Sequence, residues 1–372
     1  MKIAVVGAGN GGSFTALFYA WYGRNLDLEV ELIYNPNTEP ERVGQATLLD
    51  PPGLLWAATG FNWYENKIHA TFKSGILYDG WGKKKDKFFH PFPADRMAMH
   101  YCPWEMQKSI LESGHFKVTK SELLDIDSVD ADYVFDCRGK PKDYSNYTML
   151  KNPTNSAILA KPKWDLTQTH WSSHIATPDG WTFVIPTHED SPSHDYCVGY
   201  CYSDKCSTDI EAEYNFRNMF DVEIKKHVRY KNYVANKPID GRVILNGNRL
   251  FFLEPLESSS TQTYFEWIKM TWSYIFGNKK DPSEEIRDYI NQTQNFILWH
   301  YKFGSKYNTD FWEHAKSFNM KDDLINQYIN FAKKSNECQV LPELYGGGSK
   351  NSLYGQWPPY SFKVWLDGVE NK

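Results

Sequence analysis

The stretch KIAVVGAGNGG over residues 2–12 decides the fold. A short apolar run is followed at once by a GxGxxG pattern whose glycines are Gly7, Gly9 and Gly12. In this pattern the first glycine permits a tight turn, the second lets the backbone approach a pyrophosphate, and the third allows a helix to pack closely on the strand. The stretch therefore predicts a strand, a phosphate-binding turn and a helix that together bind a dinucleotide.

The residues that follow complete a βαβ unit. An apolar run over 13–22 predicts a buried helix, and the run over 28–34 predicts a second strand. The second strand of a dinucleotide-binding unit commonly ends in an acidic residue that binds the ribose, but Tyr34 and Asn35 stand here. We therefore expect other groups to bind the adenosine part of the ligand.

Further along the chain the pattern changes twice. A buried strand is predicted over 131–137, strands of a more antiparallel region are predicted over 181–186 and 195–203, and helices are predicted from Thr261 onward. The sequence thus predicts an α/β fold in which a doubly wound, Rossmann-like domain is interleaved with an antiparallel-sheet domain. A helical C-terminal part follows them.

Composition excludes several classes of protein. The 372 residues include 41 Lys and Arg against 46 Asp and Glu, and the net charge of −5 argues against nucleic acid as the main partner. We find no membrane span and no signal peptide, and the six cysteines form no CxxC pair. These features indicate a cytoplasmic protein with reduced thiols and no metal site. Aromatic residues make up 16% of the chain, so many rings must lie in a core or in a binding site.

Five further segments resemble one known family. They are RVGQAT over 42–47, ATFKSGI over 70–76, FHPF over 89–92, WTFVIP over 181–186 and FLEPLES over 252–258. In this order they are similar to motifs of the flavin-dependent halogenases of the tryptophan-halogenase type. FDCRG over 135–139, and WHY over 299–301 with TDFW over 309–312, resemble other parts of that family. The short chain, rich in Lys, Asn and Tyr, is also similar to halogenase-like proteins encoded by phages.

The resemblance implies a two-component enzyme. Its cofactor would be FAD in the reduced form FADH2, supplied by a separate flavin reductase, and its other reactants would be O2 and a halide ion. The hypohalous acid formed from them would travel through the protein to a small electron-rich aromatic substrate of phenol or indole type. This scheme involves no nucleic acid and no membrane, and it leaves a homo-oligomer open.

Lys73 and Glu257 match the catalytic residues of the family. The resemblance implies that the Lys73 ammonium polarises hypohalous acid, or that its amine becomes a haloamine, and a lowered pKa suits both roles. Glu257 would orient the halogenating species and stabilise or deprotonate the cationic intermediate of aromatic substitution.

Ligand-binding residues follow from the same resemblance. We expect the cofactor to be bound by the glycine pattern, by part of RVGQAT and by residues around FLEPLES, namely Gly7, Gly9, Gly12, Gly44, Gln45, Ala46, Asn248 and Thr261. The halide would be bound by the backbone amides of Ser259 and Ser260, near the start of a helix. Ser260 stands where the family usually has Gly, so bromide and iodide are expected as readily as chloride.

The substrate site is expected to be aromatic. His90 and Phe92 would sandwich the ring of the substrate, although they would equally suit a packed core pair. Trp181 and Phe183 would line the wall that separates flavin from substrate. The chain between His90 and Asp136 is shorter than in typical tryptophan halogenases, which predicts a more open site.

Domain boundaries can be assigned on this basis. The interleaved part covers 1–260, with FAD binding mainly in 1–50, 120–140 and 240–262 and substrate binding mainly in 60–118 and 141–235. A helical part covers 261–340, and an irregular strap rich in Gly, Pro and aromatic residues covers 341–372.

Two other functions stay open at this level. An FAD-dependent aromatic monooxygenase would share the fold but would insert oxygen without halide. A catalytically silent flavin-binding protein is suggested by Tyr34, Gln45 and Ser260, which differ from the usual family residues, whereas the presence of both Lys73 and Glu257 argues against it.

Overall fold

The computed structural model describes residues 1–83, 86–92, 98–123, 125–166, 169–318, 320–334, 357 and 359–369. The strands are β1 Lys2–Val6, β2 Glu29–Tyr34, β3 Gln45–Ala46, β4 Thr71–Lys73, β5 Gly75–Asp79, β6 Lys87–Pro91, β7 Ala98–Tyr101, β8 Lys117–Lys120, β9 Tyr133–Asp136, β10 Tyr147–Met149, β11 Ser156–Pro162, β12 Ser172–Thr177, β13 Gly180–Val184, β14 Val198–Tyr202, β15 Val222–Arg229, β16 Tyr233–Ala235, β17 Ile239–Asp240, β18 Val243–Leu245 and β19 Phe251–Phe252. The α-helices are α1 Asn10–Tyr22, α2 Pro51–Thr59, α3 Pro103–Leu111, α4 Asp209–Met219, α5 Ser259–Phe276, α6 Ser283–Phe303, α7 Asp310–Ser317, α8 Asp322–Lys334 and α9 Pro359–Val369.

The opening stretch forms the centre of a six-stranded sheet. Its order is β17-β18-β9-β1-β2-β8, and every pair except β17–β18 is parallel. Strand β1 is central, and Ile3, Ala4 and Val5 are fully buried because both faces of such a sheet are covered. The predicted βαβ unit is confirmed, with β1, α1 and β2 close to the expected bounds.

A second, seven-stranded sheet has the order β15-β11-β14-β13-β12-β5-β6. All its pairs are antiparallel except β12 with β5. The strand predicted over 195–203 begins later, at Val198, because His194–Tyr196 form a 3-10 turn before it. Strands of the two large sheets alternate along the chain, so the predicted interleaved α/β fold is confirmed. Two three-stranded sheets, β10-β16-β19 and β3-β7-β4, complete the sheet structure of the described residues.

Helices dominate from Ser259 onward, as predicted. Helix α5 begins two residues before Thr261, and α6 begins at Ser283, whose backbone N–H donates to Asp281 Oδ1 over 2.8 Å. Many of the aromatic rings lie in the core, and five tryptophans are fully buried: Trp81, Trp181, Trp267, Trp299 and Trp312. Among the described residues no helix combines the length and the apolar character needed to cross a membrane.

The strap expected over 341–372 contains one described stretch, Pro359–Val369, and this stretch forms helix α9. Pro359 occupies the first turn, where proline is tolerated, and Phe362, Trp365 and Val369 are buried on one face. The expectation was wrong for this segment because the Gly- and Pro-rich flank obscured a helical apolar spacing. Residues 341–356 lie outside the described residues.

Candidate active site

A cleft of about 2370 Å³ opens beside the carboxyl end of β1. Gly7 and Gly9 line it, and Gly7 has a φ of +106°, a conformation that L side chains rarely adopt. A Cβ atom added at Gly9 would meet no heavy atom within 4 Å, so the backbone there is open to a ligand. A Cβ atom at Gly12 would lie 1.8 Å from the carbonyl oxygen of Gly7, so Gly12 packs against the turn and does not line the cleft.

The other residues expected to bind the cofactor lie around the same cleft. Its lining includes Gly44, Gln45, Ala46, Asn248 and Thr261. Next to them, Asn10 donates from Nδ2 to Gln45 Oε1 over 2.6 Å, while its buried Oδ1 has no partner among the described residues. An unpaired buried acceptor beside an open glycine turn fits a ligand that brings its own donors.

No acidic residue ends β2, and Tyr34 and Asn35 line the cleft there. An acidic residue, Asp136, ends β9 instead, which pairs with β1 on the side away from β2. Its Oδ2 accepts hydrogen bonds from Arg138 Nη2 over 2.9 Å and from Arg249 Nε over 3.2 Å. Burial alone would raise the pKa of Asp136, but the two guanidinium groups outweigh burial and lower it. Both arginines line the cleft and carry charge suited to a pyrophosphate.

The segment between β19 and α5 forms the inner rim of the cleft. Glu257 and Ser258 both have left-handed backbone conformations, with φ of 73° and 54°. Such conformations cost about 1–3 kcal/mol each and cluster at functional sites. Ser258 and Ser260 line the cleft at the start of α5, whereas Ser259 is buried and does not.

Lys73, at the end of β4, is 1% exposed. Its Nζ donates to Ser258 Oγ over 3.2 Å and lies 5.0 Å from the centroid of the Phe92 ring. Burial lowers the pKa of Lys73 to about 7, and the charge of Glu257 opposes this shift without cancelling it. Lys73 and Glu257 form no ion pair within 4.0 Å. Lys73 itself does not line the cleft, but Ser258, to which it donates, does.

Glu257 is equally buried but has several hydrogen-bond donors around it. Its Oε1 accepts from the Tyr78 hydroxyl and from His300 Nε2 over 2.7 Å, and its Oε2 accepts from Trp357 Nε1 over 3.2 Å. Burial alone would raise the pKa of Glu257, but the hydrogen bond and charge of His300 hold it well below its usual range. His300 Nδ1 in turn faces the carbonyl oxygen of Phe296 over 2.7 Å, so both ring nitrogens face acceptors. Glu257 is therefore a buried carboxylate that accepts hydrogen bonds from three side chains.

His90 and Phe92 form a pair of neighbouring rings close to Lys73. Their rings are nearly perpendicular, with centroids 5.8 Å apart. His90 Nε2 is 2.9 Å from Ser361 Oγ of α9, and burial lowers the pKa of His90 to about 4. Neither residue lines the large cleft.

The expected open substrate site is covered in this structure. The ring of Trp365 on α9 lies 4.1 Å from that of His300, and Trp357 is 2% exposed against Glu257. Around Glu257, His300 and Trp365 the side chains leave no space for a water molecule. The difference arises because α9, which the sequence analysis did not predict, packs onto His90 and His300.

The two wall residues lie in different places. Phe183 lines the large cleft together with Ile185. Trp181 is fully buried behind it, and its Nε1 donates to the Tyr301 hydroxyl over 2.8 Å. Tyr78, His300 and Ser258 complete the site, although the sequence analysis assigned none of them to it. The WHY segment at 299–301 was the only signal for His300.

Comparisons with known proteins place the chain in a family. The family described as "Tryptophan halogenase" matches residues 2–117 and 105–354. Tryptophan 7-halogenase RebH from Lentzea aerocolonigenes is 24% identical over 217 residues, which are 54% of this chain and 39% of that protein. The chain thus spans well under half the length of that curated relative.

Solved structures show similarity over nearly the whole chain. A tryptophan 6-halogenase, SttH from Streptomyces toxytricini, superposes with a TM-score of 0.78 at 18% identity, covering 99% of this chain and 90% of that one. Xcc4156, a flavin-dependent halogenase from Xanthomonas campestris, gives a TM-score of 0.73 at 16% identity, covering 89% and 83%. At these identities the similarity establishes the fold.

Proposed function

The chain belongs to the tryptophan halogenase family, and from this membership we propose that it is a flavin-dependent halogenase acting on a small electron-rich aromatic compound. The observation that carries the proposal is the position of Lys73 and Glu257. Lys73 reaches the rim of the cleft through Ser258, and Glu257, the residue before Ser258, lies beyond the rim in the aromatic cluster. A reagent formed in the cleft would meet Lys73 before it met the substrate.

The cleft has the features needed for FAD. Gly7 and Gly9 leave the backbone open at the start of α1, and Arg138 and Arg249 add positive charge at the wall. Reduced FAD, regenerated by a separate flavin reductase, together with O2 would supply the oxidising power that converts halide into hypohalous acid. The amides of Ser259 and Ser260 at the start of α5 would hold the halide, since the first amides of a helix have no partner within the helix. Chloride, bromide and iodide are all candidates.

Lys73 would then hold the hypohalous acid. With its pKa near 7, it is present as ammonium and as amine near neutral pH. The ammonium would donate a hydrogen bond that polarises the oxygen–halogen bond. The amine would instead take the halogen, so that a nitrogen–halogen bond forms, the oxygen–halogen bond breaks and water leaves. Both routes require the lysine to be shielded from water, and its side chain is buried.

Glu257 would act on the substrate. A carboxylate held ionised by His300 can stabilise the positive charge that develops on an aromatic ring when it takes up a halogen. It can also accept the ring proton that is lost when the product forms. A phenol or an indole is the favoured substrate class because its ring is electron-rich.

The test supplies the purified protein with FAD, a flavin reductase, O2, a phenol or an indole, and each halide in turn. We expect a halogenated product by mass spectrometry. Lys73→Ala should lower product formation about 100-fold or more while FADH2 oxidation continues. Lys163→Ala is the matched control, since Lys163 is an exposed lysine paired with Asp221, and it should behave as wild type.

Other outcomes would identify the alternatives. A hydroxylated product that needs no halide would indicate an aromatic monooxygenase. Tight flavin binding without consumption of FADH2 would indicate a silent flavin-binding protein. Either result contradicts the proposal.

A further inference from the structure

One row of side chains crosses the seven-stranded sheet from the cleft to Glu257. The strand register pairs Gly199 with Phe183, Phe183 with His174, and His174 with Tyr78. Paired residues of neighbouring strands lie on the same face of a sheet. Phe183 lines the cleft at one end of the row, and the Tyr78 hydroxyl donates to Glu257 at the other. His174 stands between them.

His174 is 2% exposed and also lines the cleft. The centroid of its ring lies 5.1 Å from that of Trp181 and 5.4 Å from that of Tyr78. Its buried Nδ1 has no hydrogen-bond partner among the described residues. A buried polar atom without a partner costs about 1–3 kcal/mol, so this nitrogen calls for an explanation.

The other buried histidines of the described chain have partners. His90 faces Ser361 over 2.9 Å, His100 faces Ser172 and Thr71 over 3.0 Å each, and His300 contacts Glu257 and Phe296 over 2.7 Å each. His174 is the exception, and it is the buried histidine that lines the large cleft.

The charge state of His174 restricts what it can bind. Burial lowers its pKa to about 3, and the nearby charge of Lys73 also lowers it, while Glu257 opposes the shift. The ring is therefore neutral near pH 7, with one N–H donor and one nitrogen acceptor. A neutral imidazole suits a small neutral molecule that has both an O–H group and an acceptor oxygen, and it does not suit a halide anion.

We propose that His174 is a further binding residue of the reaction, which hydrogen-bonds hypohalous acid as it passes from the cleft to Lys73 and Glu257. The inference rests on the proposed function. It involves hydrogen bonds alone, so the oxygen–halogen bond stays intact at this step. Its effect is to retain the reagent within the protein, because without it hypohalous acid escapes into the solvent.

The test compares His174→Phe, which keeps a ring but removes both nitrogens, with His174→Gln, which keeps a donor and an acceptor. In His174→Phe we expect product formed per FADH2 oxidised to fall about tenfold. FADH2 oxidation should stay at the wild-type rate, and halogenation of a soluble trap such as monochlorodimedone should rise. His174→Gln should restore part of this ratio of product formed to FADH2 oxidised, which we call the coupling. A purely structural role of His174 would not predict such a recovery.

Thr182→Val is the matched control. Thr182 lies on the adjacent strand β13, is buried, and has an Oγ1 without a partner among the described residues, but its register places it beside Ile175 on the opposite face. This variant should form as much product per FADH2 oxidised as wild type. Wild-type coupling in both folded His174 variants would overturn the inference alone. Absence of halogenated product from wild type would instead overturn the proposed function.

Discussion

At the scale of single residues, two glutamates of the site have different charge states because different side chains surround them. Glu254 and Glu257 are both 1% exposed and stand three positions apart. Glu254 contacts the hydroxyl groups of Tyr301 and Thr154, and burial raises its pKa to about 7. Glu257 faces His300 and stays ionised. One short motif therefore contains an acid that is about half protonated near pH 7 and an acid that is ionised.

The two glutamates should respond differently to the same isosteric change. At about pH 6, Glu254→Gln replaces a mostly protonated group, so the free energy of unfolding should change by less than about 1 kcal/mol. Glu257→Gln removes a buried carboxylate that accepts hydrogen bonds from Tyr78, His300 and Trp357, which should cost about 3–5 kcal/mol. Urea unfolding of both variants measures the difference, and equal losses would contradict the assigned charge states.

Lys73 should lower the stability of the protein in a pH-dependent way. Its pKa falls from 10.5 in the unfolded chain to about 7 in the folded one, so the unfolded chain binds more protons between these values. The destabilisation by Lys73 is therefore absent above pH 10.5, grows as the pH falls from 10.5, and is complete below about pH 7.

Lys73→Met removes this dependence. The variant should be more stable than wild type by a few kcal/mol at about pH 6, since one pKa unit corresponds to about 1.4 kcal/mol, and the advantage should shrink towards pH 10.5. Urea unfolding across this range checks the prediction, with Lys163→Met as an exposed control. A difference that does not vary with pH would contradict it.

At the scale of elements, strand register places the wall of the cleft. The Phe183 ring of β13 lies over Gly199 of β14, where a Cβ atom would be 2.1 Å from Cζ of that ring. Real Cβ atoms do not approach so closely, so the absence of a side chain at Gly199 lets Phe183 lie flat beside the cleft.

Gly199→Ala should displace the Phe183 ring. We expect a loss of about 1–3 kcal/mol in the free energy of unfolding, as for other overpacked cores. The double variant Gly199→Ala with Phe183→Leu should recover part of this loss because the smaller side chain makes room. A double-mutant cycle in urea measures the coupling, and additive effects would contradict the contact.

Helix α9 closes the opposite side of the site. Ser361 contacts His90, and Trp365 lies 4.7 Å from the Tyr78 ring and 5.1 Å from the Phe88 ring. His90, one of the residues expected to bind substrate, is thus covered by a segment that lies more than 260 positions later in the chain. For an aromatic substrate to reach Glu257 in the proposed reaction, this cover has to move.

At the scale of the whole molecule, the glycine turn joins the first sheet to the cleft, and its glycines have different structural roles. Gly9 is open to the cleft, while Gly12 packs against the carbonyl oxygen of Gly7. A substitution at one should affect the ligand, and a substitution at the other should affect folding.

Gly9→Ala should change the free energy of unfolding by less than about 1 kcal/mol but weaken FAD binding at least tenfold. Gly12→Ala should cost about 2 kcal/mol or more because its Cβ atom meets backbone. Flavin titration and thermal unfolding separate the two effects. Saturating FAD should stabilise wild type by about 2.7 kcal/mol at 100 times its Kd, and Gly9→Ala much less at the same concentration.

Much of the fold could be predicted because its signals are local. The apolar run and glycines of residues 2–12 specify their own turn, and the strand over 181–186 was recognisable from its own residues. The partners of Glu257 could not be predicted in this way. Tyr78 is 179 positions from Glu257 in the chain, and His300 is 43 positions from it. Nothing in the sequence of either segment indicates a contact with Glu257.

By itself the sequence determined the strand–turn–helix at the start of the chain, the interleaved α/β fold and the family, because sterics, periodicity and motif order are properties of the chain alone. Only the tertiary structure decided that Lys73 is buried with a lowered pKa, that Glu257 is ionised, that His174 lacks a partner and that α9 covers the aromatic cluster. The physical reason is that burial, charge and hydrogen bonding at each of these groups come from segments distant in sequence.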